Sequence, residues 1–125
     1  MEAAQQKLQT LSEDYQKLQT ELESIVEARQ KLESQHQENK SVQQEFASLD
    51  DDANIYKLVG PVLLKQEKSE ATMAVDGRIE FIEKEIKRIE TQIQDINNKS
   101  DKRRTEIVQL QSQMQQQTAA ASASA

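Results

Sequence analysis

Cysteine and tryptophan are both missing from this 125-residue chain, which has one proline, one histidine and two glycines. Without thiols there is no disulfide, no thiolate nucleophile and no cysteine-ligated metal, a usage that fits a reducing compartment. Aromatic residues make up 3% of the chain, too few for the single packed centre of a compact globular domain. No apolar run approaches the roughly 18 residues that a membrane span requires. The opening Met1-Glu2-Ala3-Ala4-Gln5 lacks the apolar centre of a signal peptide, so a soluble, intracellular and cytoplasmic protein is expected, with no membrane partner.

Catalysis finds equally little to work with. Gly60 and Gly77 do not stand in a phosphate-binding spacing, which argues against nucleotide hydrolysis. With no cysteine in the chain and no paired acid held rigidly nearby, His36 reads as a position within a helical seam. No enzyme, cofactor or metal site is expected. With 22 acidic against 16 basic residues the formal charge is -6, which opposes binding to a phosphate backbone. The one basic cluster, Lys99, Lys102, Arg103 and Arg104, gathers too few charges to alter that and reads as a solvated helix face, so no nucleic acid is expected.

Heptads are abundant. Leu8, Leu11, Tyr15, Leu18, Leu22 and Ile25 step by three and four, followed by Arg29 and Leu32, the seam of a supercoiled helix. His36 and Asn39 come next, and apolar residues resume at Val42, Phe46 and Leu49 after two successive three-residue steps, a pattern that predicts a stammer. Asp50-Asp51-Asp52 opposes the helix dipole and predicts a stop near Leu49. The second arm is cleaner. Val75, Ile79, Ile82, Ile86, Ile89, Ile93 and Ile96 keep the alternation, Ser100 and Arg103 interrupt it, and Ile107, Leu110 and Met114 restore it. Ser69 is the expected N-cap. Residues 115–125, a glutamine run passing into alanine and serine, hold no large side chain and are expected to fray or be disordered.

Between the arms lies Ile55-Tyr56-Lys57-Leu58-Val59-Gly60-Pro61-Val62-Leu63-Leu64, where large apolar residues crowd together without helical spacing. Gly60-Pro61 splits it into strand, tight turn and strand. A lone hairpin is marginal in water and presents two open edges. Its seven large apolar side chains, each worth about 1.5–3 kcal/mol if fully buried, have too little chain nearby to cover them. Burial against other subunits is therefore expected. Two arms of similar length around a compact insert predict a mainly α fold, an antiparallel two-helix coiled-coil hairpin with a small β-hairpin at the bend. The expected boundaries are helix over 1–49, hairpin insert over 50–68, helix over 69–114 and tail over 115–125, all in one domain. Facing residue numbers should add to about 118 in the antiparallel seam.

The run Tyr56 to Glu67, then Glu70-Ala71, Val75, Arg78, Ile79, Phe81-Ile82 and Glu85-Ile86-Lys87-Arg88, resembles the β-class subunits of prefoldin. The resemblance covers the whole layout and is specific around the insert and the start of the second helix. It implies a heterohexamer of two α-class and four β-class subunits on a double β-barrel platform, with coiled coils hanging from it. It further implies ATP-independent capture of unfolded clients, actin and tubulin among them, and their transfer to the cytosolic group II chaperonin. The expected assembly residues are Ile55, Tyr56, Leu58, Val59, Val62, Leu63, Leu64 and Phe81, and the expected client-contact tip is Met1, Leu8, Leu11, Leu110 and Met114. For Leu11 and Leu110 ordinary seam packing is the competing reading, since heptad position already explains them. Two function classes stand side by side: a client-binding chaperone subunit, and a structural coiled-coil scaffold or tether. The apolar insert separates them, because a scaffold has no use for a β-rich patch at its bend.

Overall fold

The computed structural model describes residues 2–124 and holds four elements: α1 (Glu2–Ser48), β1 (Ile55–Val59), β2 (Val62–Gln66) and α2 (Lys68–Ser124). No helix among the described residues is long and apolar enough to cross a membrane. The chain divides into two units, Ala28–Ile89 and Met1–Glu27 with Glu90–Ala125.

In the unit Ala28–Ile89 the end of α1, the hairpin and the start of α2 come together. Ala71, Val75, Ile79, Ile82 and Ile89 are buried, so the three-four isoleucine pattern of α2 becomes the core. Cross-helix bonds fix the pairing. Gln43 Nε2 donates to Asp76 Oδ1 at 2.7 Å, and His36 Nε2 donates to Glu83 Oε1 at 3.0 Å. Their residue numbers add to within one of the expected value, and the helices run antiparallel. At the bend, α1 has no basic residue in its last turn. Lys68 supplies one from the other helix, its ammonium donating to the Leu49 carbonyl at 2.6 Å and meeting Asp51 at 3.4 Å. A cation at a helix C-terminus is favoured by the dipole, here offsetting the aspartates that follow.

The unit containing both chain ends repeats the antiparallel pairing. Leu11, Ile96 and Ser100 are buried. Gln19 Nε2 donates to Ser100 Oγ at 3.4 Å, and Arg103 approaches Asp14 at 3.9 Å while bonding Glu106 at 3.2 Å. The polar interruption in the second heptad is therefore partnered from within the seam. No buried side-chain nitrogen or oxygen among the described residues lacks a partner.

Three sequence expectations are corrected. The stammer is absent: Gln43 takes the seam position four residues after Asn39, and Val42 points out, 37% exposed. The steps from His36 through Asn39 and Gln43 to Phe46 thus keep the heptad, because a glutamine bonded across the seam to Asp76 can occupy a site that hydropathy alone assigns to valine. Helix α2 starts at Lys68, with the Ala71 amide bonded to the Glu67 carbonyl, so Ser69 lies inside the first turn and is not the cap. Finally, α2 continues through the alanine-serine tail to Ser124. Alanine is the strongest helix former and loses no side-chain entropy, and the Thr118 hydroxyl donates to the Met114 carbonyl at 2.9 Å.

Candidate assembly and client-binding surfaces

The hairpin is closed by two residues. Val59 pairs with Val62 across Gly60-Pro61, and Gly60 has φ 59°. A positive φ at the first loop position with proline at the second is the sign pattern of a type II′ turn, whose twist matches the flanking strands. Any side chain at residue 60 would be strained there.

Register sorts the side chains onto two faces, because successive residues of a strand alternate. One face carries the pairs Ile55–Gln66, Lys57–Leu64 and Val59–Val62; the other carries Tyr56–Lys65 and Leu58–Leu63. Tyr56, Leu58, Val59, Val62, Leu63 and Leu64 are all exposed, from 48% for Val59 to 68% for Leu58. Six large apolar residues thus face solvent on both sides of a two-stranded sheet whose outer edges pair with no strand among the described residues. A solvated hairpin would alternate apolar and polar and keep one face polar.

Of the expected assembly residues, Ile55 departs from this set. It opens β1 at the foot of the hairpin and is buried at 7% exposure, so it anchors the strand to its own unit and presents nothing outward. Phe81, also in the expected assembly set, stands 64% exposed on α2. Sequence reasoning missed Met73, which is 74% exposed two residues before the seam position Val75. The signal is available in the heptad frame, since Met73 is a large apolar residue off the seam near the start of α2.

The expected tip residues fare differently. Leu11 is buried at 7%, its heptad position having placed it inside the seam. Leu8, Leu110 and Met114 are half-buried, and Met1 lies outside the described residues. The exposed large apolar side chain in this part of α2 is Val108, one residue off the seam position Ile107 and absent from the sequence-based set. Among the described residues, the apolar surface of the unit holding the chain ends is therefore the half-covered rim of its seam together with Val108 and, on α1, Val26.

Charges are arranged for helix stability and not for chemistry. The His36 hydrogen bond holds the Glu83 carboxyl below the usual carboxylate range, helped by Lys40 and Lys87. Arg88 likewise lowers Glu85 through a 2.8 Å bond one helical turn away, and Glu85 raises Arg88 in return. No group of three potential metal ligands occurs among the described residues.

Comparison with known proteins agrees with this geometry. A family model described as prefoldin subunit matches residues 5–118. Prefoldin subunit 6 of Saccharomyces cerevisiae is 50% identical over 100 residues, spanning 80% of this chain and 88% of that protein. Prefoldin subunit 6 of Mus musculus is 44% identical over 119 residues, spanning 95% and 94%. Among solved structures, the prefoldin beta subunit from Thermococcus strain KS-1 superposes with a TM-score of 0.77 at 29% identity, covering 81% of this chain and 89% of that one.

Proposed function

The chain belongs to the prefoldin family, a family of chaperone subunits and not of enzymes, and from that premise we propose that it is one subunit of a heterohexamer that captures unfolded polypeptides without ATP. The observation that carries this reading is the exposure of six large apolar side chains on both faces of the hairpin. Contiguous exposed apolar surface on a soluble protein marks an interaction site. Both faces are apolar, so one covering element cannot satisfy the hairpin. Closure with other strands into a barrel buries one face inside and the other against a neighbouring layer, and removes the edges. Other α- and β-class prefoldin subunits are the partners that supply those strands.

Client capture belongs to the unit that holds the chain ends, Met1–Glu27 with Glu90–Ala125. Half-buried Leu8, Leu110 and Met114 with exposed Val108 offer weak, adaptable apolar contact amid glutamine and alanine. Methionine in particular adapts its shape to many partners. Delivery of actin- and tubulin-class clients to the cytosolic group II chaperonin, and a cytoplasmic location, complete the proposal. A structural scaffold remains the competing reading, and the half-buried state of these tip residues is what favours it.

The test is reconstitution with the remaining prefoldin subunits, followed by mass measurement of the intact complex and by suppression of aggregation of a denatured client. A hexamer that contains this chain once and delays aggregation is expected. If the chain stays outside the complex, the assembly reading fails; if the complex forms and suppression is the same without this chain's end residues, the scaffold reading replaces client capture.

A further inference from the structure

Within the unit Ala28–Ile89, a groove of about 580 Å³ is lined by Leu32 of α1 and by Ala74, Gly77, Arg78, Phe81 and Ile82 of α2. Four of these, Ala74, Gly77, Arg78 and Phe81, stand at i, i+3, i+4 and i+7, which is the set of positions that forms the hole for an inserted side chain when a second helix packs on the first. The hole is not filled from within. A Cβ placed on Gly77 would meet nothing within 4 Å, so the chain's own packing does not call for glycine at this position. Glycine is nonetheless among the worst residues for a helix interior. Phe81 lines it and is 64% exposed, and Ile82 lines it from the buried seam. Arg78, at the rim, makes no hydrogen bond or ion pair among the described residues.

We infer that this groove is a docking site for a helix of a neighbouring prefoldin-family subunit, seated with one large aliphatic side chain over Gly77 and a carboxylate within a turn of it paired to Arg78. The inference rests on the assembly reading above and deepens it: the α2 part of the groove begins at Ala74, six residues into the helix that follows β2 and so about 9 Å along it, within reach of a subunit joined through its strands. An apolar knob with an acidic neighbour follows from the apolar hole and its single uncommitted guanidinium, since arginine binds carboxylates in a paired geometry. A helix is the fitting occupant because the four positions repeat the helix-packing lattice, and a strand would not match that spacing.

Gly77→Gln separates this role from a structural one. Glutamine is a better helix former than glycine and fits the open space, so the isolated variant should melt at a higher temperature than wild type. In the hexamer it blocks the hole. When labelled wild type and variant compete for limiting amounts of the other subunits, wild type should be enriched at least about tenfold, the ratio that 1.4 kcal/mol of lost packing produces. A photoreactive amino acid at Phe81 should crosslink, in the assembled hexamer, to a helix of another subunit. Equal incorporation of the two chains overturns the inference while leaving hairpin-driven assembly intact. Crosslinks to a neighbour's strands, to a second copy of this chain or to client overturn it as well. Failure of the wild-type chain to enter a complex defeats both readings together.

Discussion

Replacing Val62 and Leu64 with aspartate tests whether the exposed hairpin is the assembly surface. In the separate chain Val62 is 51% and Leu64 50% exposed, so each aspartate has access to water and the fold should tolerate it. The local loss is the Val59–Val62 cross-strand contact, on the order of 0.2–1 kcal/mol. Assembly is another matter. Burying the remaining half of each side chain would contribute roughly 1 kcal/mol per residue, taking half of the usual 1.5–3 kcal/mol, and the double variant forfeits about 2 kcal/mol of it. A carboxylate drawn into a barrel interior adds several kcal/mol of desolvation per charge. Lys57 lies directly across from residue 64 and would offer partial neutralisation, but an exposed cross-strand ion pair returns at most about 1 kcal/mol. The net penalty is of the order of 5–10 kcal/mol, enough to lower incorporation by more than a thousandfold. Reconstitution with the other subunits, read by mass of the intact complex, should show the variant excluded, while circular dichroism of the variant alone should match wild type in helix content. A hexamer carrying the variant at full stoichiometry would refute the reasoning.

Further outcomes follow from the same geometry. Cysteines introduced at Ile25 and Ile93, which the antiparallel register places across the seam from each other, should form an intramolecular disulfide at a yield independent of concentration, and Ile25 with Ser100 should react poorly; dominance of the second pair on a gel would shift the register by a heptad. Acidification should destabilise the coil in part through Glu83: its carboxyl sits below the ordinary 4.5, so its contribution is present above that pH and lost as pH falls through the lowered value, and Glu83→Gln should flatten this part of the melting-temperature profile. On the proposed client-capture reading, Val108→Ser with Met114→Ser should leave hexamer formation unchanged and weaken suppression of client aggregation partially, since contacts spread over several subunits add by avidity; unchanged suppression across a titration would place client binding on other subunits. Gly60→Val should cripple the hairpin by forcing a β-branched residue to positive φ, a cost of about 1–3 kcal/mol seen as lost incorporation.

How much of this was legible in the sequence depends on where each residue's partner lies. The α2 seam was readable because isoleucine repeats on one helix face and needs only that helix to define the face; Val75, Ile79, Ile82, Ile89 and Ile96 are all buried as their spacing requires. The turn was readable because Gly60-Pro61 contains its own stereochemistry. Gln43 was not, since its claim on the seam comes from Asp76, a residue 33 positions away that supplies the hydrogen bond. Hydropathy favoured the adjacent Val42 and so generated a stammer that does not exist. The tail differs from expectation for a related reason: residues 115–125 lack the large side chains that tertiary packing needs, but alanine's intrinsic propensity carries the helix onward to Ser124.

Ile55 and Leu11 show the limit on the functional side. Ile55 is expected outward as a member of the apolar patch, whereas Leu11 is expected both in the heptad seam and in the client-contact tip; both turn inward because position within an element outranks membership in a cluster. At the hairpin this sharpens the assembly surface. With Ile55 holding the foot of the strand, the six exposed residues lie at the free part of the hairpin, and Lys57 and Lys65 sit one on each face among them. Each lysine must then keep its ammonium in water or find an acid on a neighbour, while its aliphatic stem packs with the apolar residues. Unpaired, a lysine on a free strand edge discourages indiscriminate strand addition, and paired with a neighbour's carboxylate it selects the correct one. The same two residues can therefore oppose aggregation of the lone chain and favour ordered joining of the complex.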